Sequence, residues 1–195
     1  MNDFNKYISL KNNVLAFSKG PLSQWWGAFE GQTGGFTHTS KRVMTFDKDG
    51  QPMGVKTIFN CSEQAMMYAK ACLFHNPKLA DKILKEKNPK IQKELGREVE
   101  NFKQPEWDKE KFNLVVFYNT LKFCQNQELR DYLESTFPYI LVEAAPWDKI
   151  WGCGTDFEDE RTYDVKSWQG ENLLGKALMT VRSYLMISKL KFVFP

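Results

Sequence analysis

Residues 62–75 read SEQAMMYAKACLFH, and this stretch decides how the chain around it is organised. We predict an α-helix here, with Ser62 as its N-cap. Glu63 and Lys70 are separated by two helical turns, roughly 10 Å of rise, so both side chains point the same way. Met67 and Phe74 lie on the same side of the predicted helix. A pocket lying across this helix would present both polar groups to one small ligand.

The residue types of this pair suit acid/base and nucleophilic chemistry. Glu63 falls in the first helical turn, where the helix dipole favours a carboxylate. Lys70 stands between Ala69 and Ala71. Burial there would lower the pKa of its amine and make it nucleophilic at neutral pH. An ordinary interpretation stays open, because first-turn acids and exposed helical lysines are common.

Composition limits the class of protein. A chain of 195 residues with 42% hydrophobic residues fits one domain, residues 1–195, with a real core. The 15 Phe and 6 Trp indicate extra core or a site that stacks flat rings. A net charge of +3 tolerates an anionic ligand without indicating a DNA-binding protein.

Cysteine and histidine usage argues against a zinc site. The four Cys form no C-x-x-C pair and there are two His, so we predict no metal, although a carboxylate-bound Mg²⁺ stays open. No run of about 18 apolar residues predicts a membrane span. The N-terminus is polar, unlike a signal peptide. We therefore expect a cytoplasmic protein (nuclear in a eukaryote) that is not secreted.

The order of hydrophobic patterns and turn signals predicts an α+β fold, a mainly helical domain with a few short strands. Strands are predicted at 14–17 and 139–144, with a hairpin at 41–59 that turns at 47–50. Helices are predicted at 62–75, 77–87, 89–102, 108–124, 126–135 and 173–187, and a long loop at 145–172.

A second unusual stretch is residues 143–154, EAAPWDKIWGCG. The faces of Trp147 and Trp151 suit stacking on a purine or another flat ring. Gly152 and Gly154 would let the backbone approach a ligand, and Asp148 would bind a ribose hydroxyl or orient Lys70. Equally open is a structural interpretation, in which the tryptophans anchor the core and the glycines serve turns.

Weaker signals surround these two stretches. Gly170 and Asn172 precede the last helix, where an N-cap beside a glycine forms a phosphate site. Arg97 follows a glycine and offers a guanidinium to an anion. Polar and aromatic groups in an early loop come from Ser23, Gln24 and Trp25. Each of these could equally be structural.

Taken together, the motifs resemble the NADAR family, named for its link to NAD and ADP-ribose. The resemblance covers about residues 14–187 in family order. The matching positions are Leu22-Ser23-Gln24-Trp25, Ser62-Glu63-Gln64, Met67-Tyr68, Lys70-Ala71, Gly96-Arg97, Trp107, Lys122-Phe123-x-Gln125-Asn126, Leu141-Val142-Glu143-Ala144, Asp148-x-x-Trp151-Gly152-x-Gly154 and Trp168-x-Gly170-x-Asn172-Leu173-x-Gly175-x-x-Leu178-Met179.

This resemblance implies a mainly helical α+β domain with N-glycosidase activity and no cofactor. One branch of the family cleaves the C–N bond of early riboflavin-pathway intermediates, and another removes ADP-ribose from modified guanine in nucleic acid. Glu63 matches the family's acid/base glutamate and Lys70 its helix lysine. The matching ligand-binding positions include Tyr68, Arg97, Trp107, Trp147 and Trp151.

The chain departs from the family pattern at two positions, and one of them, Gln64 after Glu63, favours the ADP-ribose branch together with a longer insert. Gln24 stands where many members have Asn, and Gln64 where riboflavin-type members often have His. Residues 26–58 are also longer than in the compact bacterial form. We therefore expect a substrate containing ADP-ribose or ribose phosphate, with ADP-ribosylated DNA or RNA as the form that carries it.

Two reaction schemes follow. In the first, Lys70 attacks ribose C1 and forms a Schiff base while Glu63 moves protons. In the second, Glu63 activates water and Lys70 binds an anionic oxygen. Two other classes stay open: a non-catalytic ADP-ribose reader, which has no need of Lys70, and a nucleic-acid-binding helper that holds a flipped base, against which the modest charge argues.

Overall fold

A computed structural model of the chain describes residues 4–46 and 52–193. The strands are β1 (Ile8–Lys11), β2 (Val14–Phe17), β3 (Phe36–Phe46), β4 (Pro52–Phe59) and β5 (Ile140–Glu143). The helices are α1 (Ser62–Leu73), α2 (Pro77–Lys85), α3 (Pro89–Leu95), α4 (Gln104–Gln125), α5 (Gln127–Ser135) and α6 (Leu173–Val193). The predicted α+β class is confirmed. None of the described helices is long and apolar enough to cross a membrane.

A small sheet at the centre has the strand order β1-β2-β5. β2 pairs with β1 in antiparallel fashion and with β5 in parallel, with Phe17 opposite Glu143. All four side chains of β2 are buried, as expected for a strand in a parallel pair. Because parallel strands end at the same edge, the loops that follow β2 and β5 leave the sheet side by side.

The predicted hairpin is confirmed and is longer than predicted. β3 begins at Phe36 and pairs with β4 in antiparallel register, with Phe36 opposite Phe59. The turn predicted at residues 47–50 lies outside the described residues. Phe36 and Phe59 are buried against Tyr118 of α4, which attaches the root of the hairpin to the helices.

Helix α1 runs through the core, and its start differs from the prediction. Cys61 is the N-cap and Ser62 is the first helical residue, so the predicted Ser62 cap is wrong. The Ser62 hydroxyl donates instead to Oδ1 of Asn119 on α4, at 3.1 Å. The backbone N–H of Glu63 donates to the carbonyl of Gln24, at 3.0 Å. The loop after β2 therefore supplies the acceptor that a side-chain cap would have supplied.

The other boundaries move by a few residues. α3 ends at Leu95 instead of residue 102, because the chain turns at Gly96, where an added Cβ would lie 1.9 Å from the Met67 sulfur. α6 continues to Val193. The loop predicted at 145–172 contains two short 3₁₀ helices, Glu160–Tyr163 and Val165–Ser167.

A buried lysine holds the loop after β2. Lys122 of α4 is completely buried, and its ammonium donates to the carbonyls of Pro21 and Ser23, both at 2.9 Å. Burial lowers the pKa of Lys122 to about 7. Asn126, the C-cap of α4, donates to the Lys122 carbonyl at 2.7 Å.

We expect Lys122→Ala to lower the free energy of unfolding by roughly 2–4 kcal/mol, since two buried carbonyls lose their donor and a cavity is left. Urea denaturation at pH 7 measures this change. Lys109→Ala, an exposed position on the same helix, is the matched control. An equal shift of the two midpoints would contradict the anchoring role.

Candidate functional site

A cavity of ≈ 580 Å³ opens at the edge of the sheet where β2 and β5 end. One wall is the loop after β2, another comes from α1 and α3, and the third is the segment that follows β5. Residues from all three walls, with Tyr7 and Leu174, form its lining: Ser18, Lys19, Gly20, Ser23, Gln24, Trp25, Trp26, Phe29, Gln32, Glu63, Lys93, Glu143, Ala144, Ala145, Trp147, Asp148 and Trp151. The volume suits a nucleotide-sized ligand.

Glu63 occupies the inner end of this cavity. It is 3% exposed, and its Oε1 has no hydrogen-bond partner in the described part of the chain. Burial raises the pKa of Glu63 to about 7, while Lys93 and a hydrogen bond from the Trp25 side chain oppose the rise. An unpaired buried carboxyl oxygen is costly, so its presence in a cavity indicates a group that ligand or water normally meets.

Glu143 adds a second carboxyl group to the same cavity. It is the last residue of β5, and its backbone is held on both sides: its N–H donates to Oδ1 of Asn172 and its carbonyl accepts from Cys153. Burial raises the pKa of Glu143 to about 8, and the negative charges of Asp148 and Glu63 add to the rise. At neutral pH, Glu143 therefore holds its proton.

Asp148 organises the segment between β5 and Trp151. One carboxylate oxygen accepts from the backbone N–H groups of Ile150 and Trp151, at 3.0 and 2.8 Å. The other lies 3.7 Å from the ammonium of Lys93 on α3. Asp148 thus connects the third wall to α3 and places Lys93 among three carboxyl groups, which makes it the cation of the cavity's inner end.

The two tryptophans of this segment differ. Trp147 lines the cavity yet is 85% exposed, so the interpretation of Trp147 as a core anchor is wrong. Trp151 lines the cavity and packs against the core. Phe29, half exposed across the mouth, gives the rim a second large ring. The rim can therefore stack a flat ring that projects out of the cavity.

The structure does not bring Lys70 into this cavity. Its ammonium donates to the carbonyl of Gly96 at 2.7 Å and lies over the ring of Phe102, 4.2 Å from the centroid. Burial lowers the pKa of Lys70, as predicted. Glu63 and Lys70 do lie on one side of α1, but the cavity extends only over the first turn. The two groups therefore do not face one ligand in this cavity.

Three other predicted ligand-binding residues also lie outside the cavity lining. Tyr68 packs edge-on against Phe59. Trp107 is buried in the main core, beneath Lys70. Arg97 is exposed, although its charge is close enough to help lower the pKa of Glu63.

Three predicted residues after Trp151 have structural contacts. At Gly152 an added Cβ would lie 2.8 Å from Cβ of Ala145, and at Gly170 it would meet the Gly152 carbonyl. These glycines let backbone pack on backbone, not on a ligand. Gly154 has a φ of +78°, which favours glycine.

Asn172 serves the sheet as well as the helix that follows it. Its carbonyl accepts the first backbone hydrogen bond of α6, from Lys176. Its side-chain amide, however, bridges to β5, accepting from Glu143 N–H and donating to the Leu141 carbonyl at 2.9 Å. Neither Asn172 nor Gly170 lines the cavity, so the phosphate site predicted at this helix start lies outside it and stays a prediction.

The early loop contributes its three predicted residues. Ser23, Gln24 and Trp25 all line the cavity. Gln24 is buried and is fixed by Asn119, whose amide donates to it at 3.4 Å. These contacts hold the loop against the start of α1.

Sequence reasoning missed Lys93, Glu143 and Trp26 as cavity residues. Lys93 stands in a lysine-rich stretch where nothing in the residue order distinguishes it from its solvated neighbours. Glu143 is the last residue of an otherwise apolar strand, and a charged residue at such a position could have been recognised in the sequence as a candidate site residue. Trp26, 9% exposed, directs an indole N–H without a described partner toward the interior.

The raised pKa values predict a pH-dependent cost in stability. The folded state binds the Glu143 proton more tightly than the unfolded state, so stability falls as pH rises from about 4.5 through about 8. Glu143→Gln should change the unfolding free energy little at pH 5 and raise it at pH 8.5. Denaturant titrations at both pH values measure the difference, with the exposed Glu128→Gln as control. A pH-independent effect of Glu143→Gln would contradict the assignment.

Comparison with known proteins gives a consistent picture. The model of the NADAR domain matches residues 18–186. The chain is 40% identical over 148 residues to "Protein irg-1" of Caenorhabditis elegans, covering 75% of this chain and 70% of the relative. It is 45% identical over 122 residues to "N-glycosidase R617" of Acanthamoeba polyphaga mimivirus, covering 62% and 71%. The NMR structure of the Escherichia coli protein YbiA matches the fold with a TM-score of 0.65 and 22% identity, covering 96% of this chain and 93% of that one.

Proposed function

Since the chain belongs to the NADAR domain family, we propose that it is an N-glycosidase that hydrolyses the C1–N bond of a phosphorylated ribose. Its preferred substrate is ADP-ribosylated guanine in nucleic acid. One observation carries the proposal: the buried, unpartnered Oε1 of Glu63 lies in a nucleotide-sized cavity with aromatic walls. N-glycosidase names among its relatives agree with this chemistry.

The carboxyl groups suit the two proton transfers of this reaction. Breaking the C1–N bond builds positive charge on the ribose, and the departing base needs a proton. Glu143, protonated at neutral pH, donates that proton. Glu63, with a pKa of about 7, is divided between both forms and acts as the base. Two carboxyl groups in one cavity suit such a division of roles, because the charge of Glu63 opposes ionisation of Glu143.

The covalent scheme fits Lys93 better than Lys70, since Lys93 lines the cavity and Lys70 does not. Glu63 first takes a proton from the Lys93 ammonium, and the free amine attacks C1 while the C1–N bond breaks and the base leaves with the proton of Glu143. A proton then passes from the attached nitrogen to the ring oxygen, so the C1–O bond breaks and the ribose opens to a protonated imine. Water adds to C1 and releases the sugar as an aldehyde, which restores the Lys93 ammonium, and the proton held by Glu63 returns to Glu143. In the competing scheme, Glu63 takes a proton from the attacking water, and the Lys93 ammonium binds an anionic oxygen of the substrate.

The rim favours the ADP-ribosyl guanine substrate over small riboflavin intermediates. Trp147 and Phe29 expose ring surface at the mouth of the cavity. A guanine that stays attached to nucleic acid must be presented at such a mouth, whereas a small intermediate would be enclosed. The Glu63-Gln64 pair and the longer stretch at residues 26–58 point the same way. A non-catalytic reader is less favoured, because it has no use for two buried carboxyls with raised pKa values beside the ligand.

Glu63→Gln should lower kcat by roughly 10²–10⁴-fold and leave ligand binding nearly unchanged, because the amide keeps the shape but cannot act as a base. ADP-ribosylated guanine DNA and the riboflavin-pathway pyrimidine intermediate serve as parallel substrates, with product release measured by chromatography. The exposed Glu128→Gln is the control. Release only of ribose phosphate, from the second substrate, would overturn the substrate assignment, and full activity of Glu63→Gln would overturn the mechanism.

Borohydride added during turnover should trap an adduct on Lys93, read as a mass shift on the peptide that contains it. Lys70 should remain unlabelled, since its ammonium is bound to the Gly96 carbonyl outside the cavity. Lys93→Arg, which keeps the charge and cannot form an imine, should lose both adduct and turnover. An active Lys93→Arg enzyme without any adduct would leave water activation by Glu63 as the mechanism.

A further inference from the structure

A second cavity of ≈ 440 Å³ adjoins the catalytic one. We call it the lysine groove. Its lining is Lys6, Tyr7, Ile8, Ser9, Lys11, Ser18, Lys19, Phe157 and Glu158. Tyr7, Ser18 and Lys19 line both cavities, so the two cavities adjoin at these three residues.

The charge of the groove is positive. Three lysines face one lining acid, Glu158. Lys11 is bound to Glu160 at 2.7 Å, so its charge is largely neutralised. Within the described part of the chain, neither Lys6 nor Lys19 forms an ion pair. Both are exposed, and Lys6 lies 5.1 Å from the centroid of the Tyr7 ring. With Lys11 paired to Glu160, the remaining lining charges are Lys6, Lys19 and Glu158, which leaves the groove with one positive charge in excess.

The groove also offers apolar surface. Ile8 and Phe157 are partly buried and line it together with the Tyr7 ring. Ammonium groups and apolar side chains in one groove suit a ligand with ionised phosphate joined to a flat, weakly polar group. A free phosphate alone would use only the lysines.

We propose that the lysine groove binds the distal half of a nucleoside diphosphate ribose, that is, its second phosphate and its nucleoside, while the ribose that is cleaved lies in the catalytic cavity. This inference rests on the proposed function and deepens it, since it names the part of the substrate that the glycosidic site itself does not contact. The groove thereby selects a dinucleotide-like substrate over a ribose with a single phosphate.

Binding to the inactive Glu63→Gln protein tests this assignment by calorimetry, with ADP-ribose, ribose 5-phosphate and an ADP-ribosylated oligonucleotide as probes. Lys6→Glu, a residue of the groove alone, should raise the Kd for ADP-ribose about tenfold and leave that for ribose 5-phosphate within twofold. Lys19→Gln should weaken ADP-ribose binding as well. Lys78→Glu on α2, outside both cavities and equally exposed, is the matched control for net charge.

Three results would overturn the inference. One is an equal loss of affinity for ADP-ribose and ribose 5-phosphate in Lys6→Glu, because the substitution would then act only through the long-range electrostatic field of the protein. Another is a Kd for ADP-ribose that matches the Lys78→Glu control. The third is a loss confined to an ADP-ribosylated oligonucleotide, which would assign the groove to the nucleic-acid backbone. Failure of the unaltered enzyme to cleave any ribosyl substrate would instead refute the proposed function.

Discussion

The parallel pairing of β2 with β5 is the constraint on which the site depends. It sets Phe17 opposite Glu143, so both strands end at one edge and the segments that follow them must form the two sides of one opening. The start of α1 is drawn to the same edge, because the Glu63 N–H binds the Gln24 carbonyl. A single strand pairing thus collects residues that lie 80 positions apart in the chain, Glu63 and Glu143.

The loop after β2 needs further contacts, because the hydrogen bond between Gln24 and Glu63 fixes only one point of it. Lys122 supplies such contacts by donating to two carbonyls of the loop from inside the core. Burying the Lys122 ammonium costs desolvation free energy, and this is why its pKa is lowered to about 7. The resulting rigidity keeps Trp25 and Trp26 fixed beside Glu63, as a preorganised site requires.

The carboxyl groups in the cavity destabilise the fold and suit proton transfer. Glu63, Glu143 and Asp148 lie around the Lys93 ammonium, and desolvation raises the pKa of both Glu63 and Glu143. Fold stability alone would favour apolar or amide side chains at these positions. Raised pKa values near neutrality are also what proton transfer at physiological pH requires. The same desolvation therefore explains both the destabilisation and the proposed reactivity.

Part of the site could be predicted from the residues alone. Glu63, Asp148, Trp151 and the early loop stood out because unusual residue types occurred beside helix starts and turns. Gly152 and Gly170 pack closely against neighbouring backbone, and a sequence does not show whether backbone or ligand fills the space of a missing Cβ. Lys93 gave no signal among neighbouring lysines of similar character.

What the sequence by itself determined is the order and type of the elements, because apolar spacing and turn residues are local properties of the chain. It also determined that Glu63 and Lys70 share one side of α1, since seven residues bring a helix back to nearly the same angle. Only the tertiary structure decided that Lys93 faces Glu63 instead. Two residues on the same side of a helix can still be far apart along its axis. Lys70 lies about 10 Å beyond Glu63 along α1, with its ammonium against the Phe102 ring. The packing of α3 against α1 places Lys93 at the cavity instead.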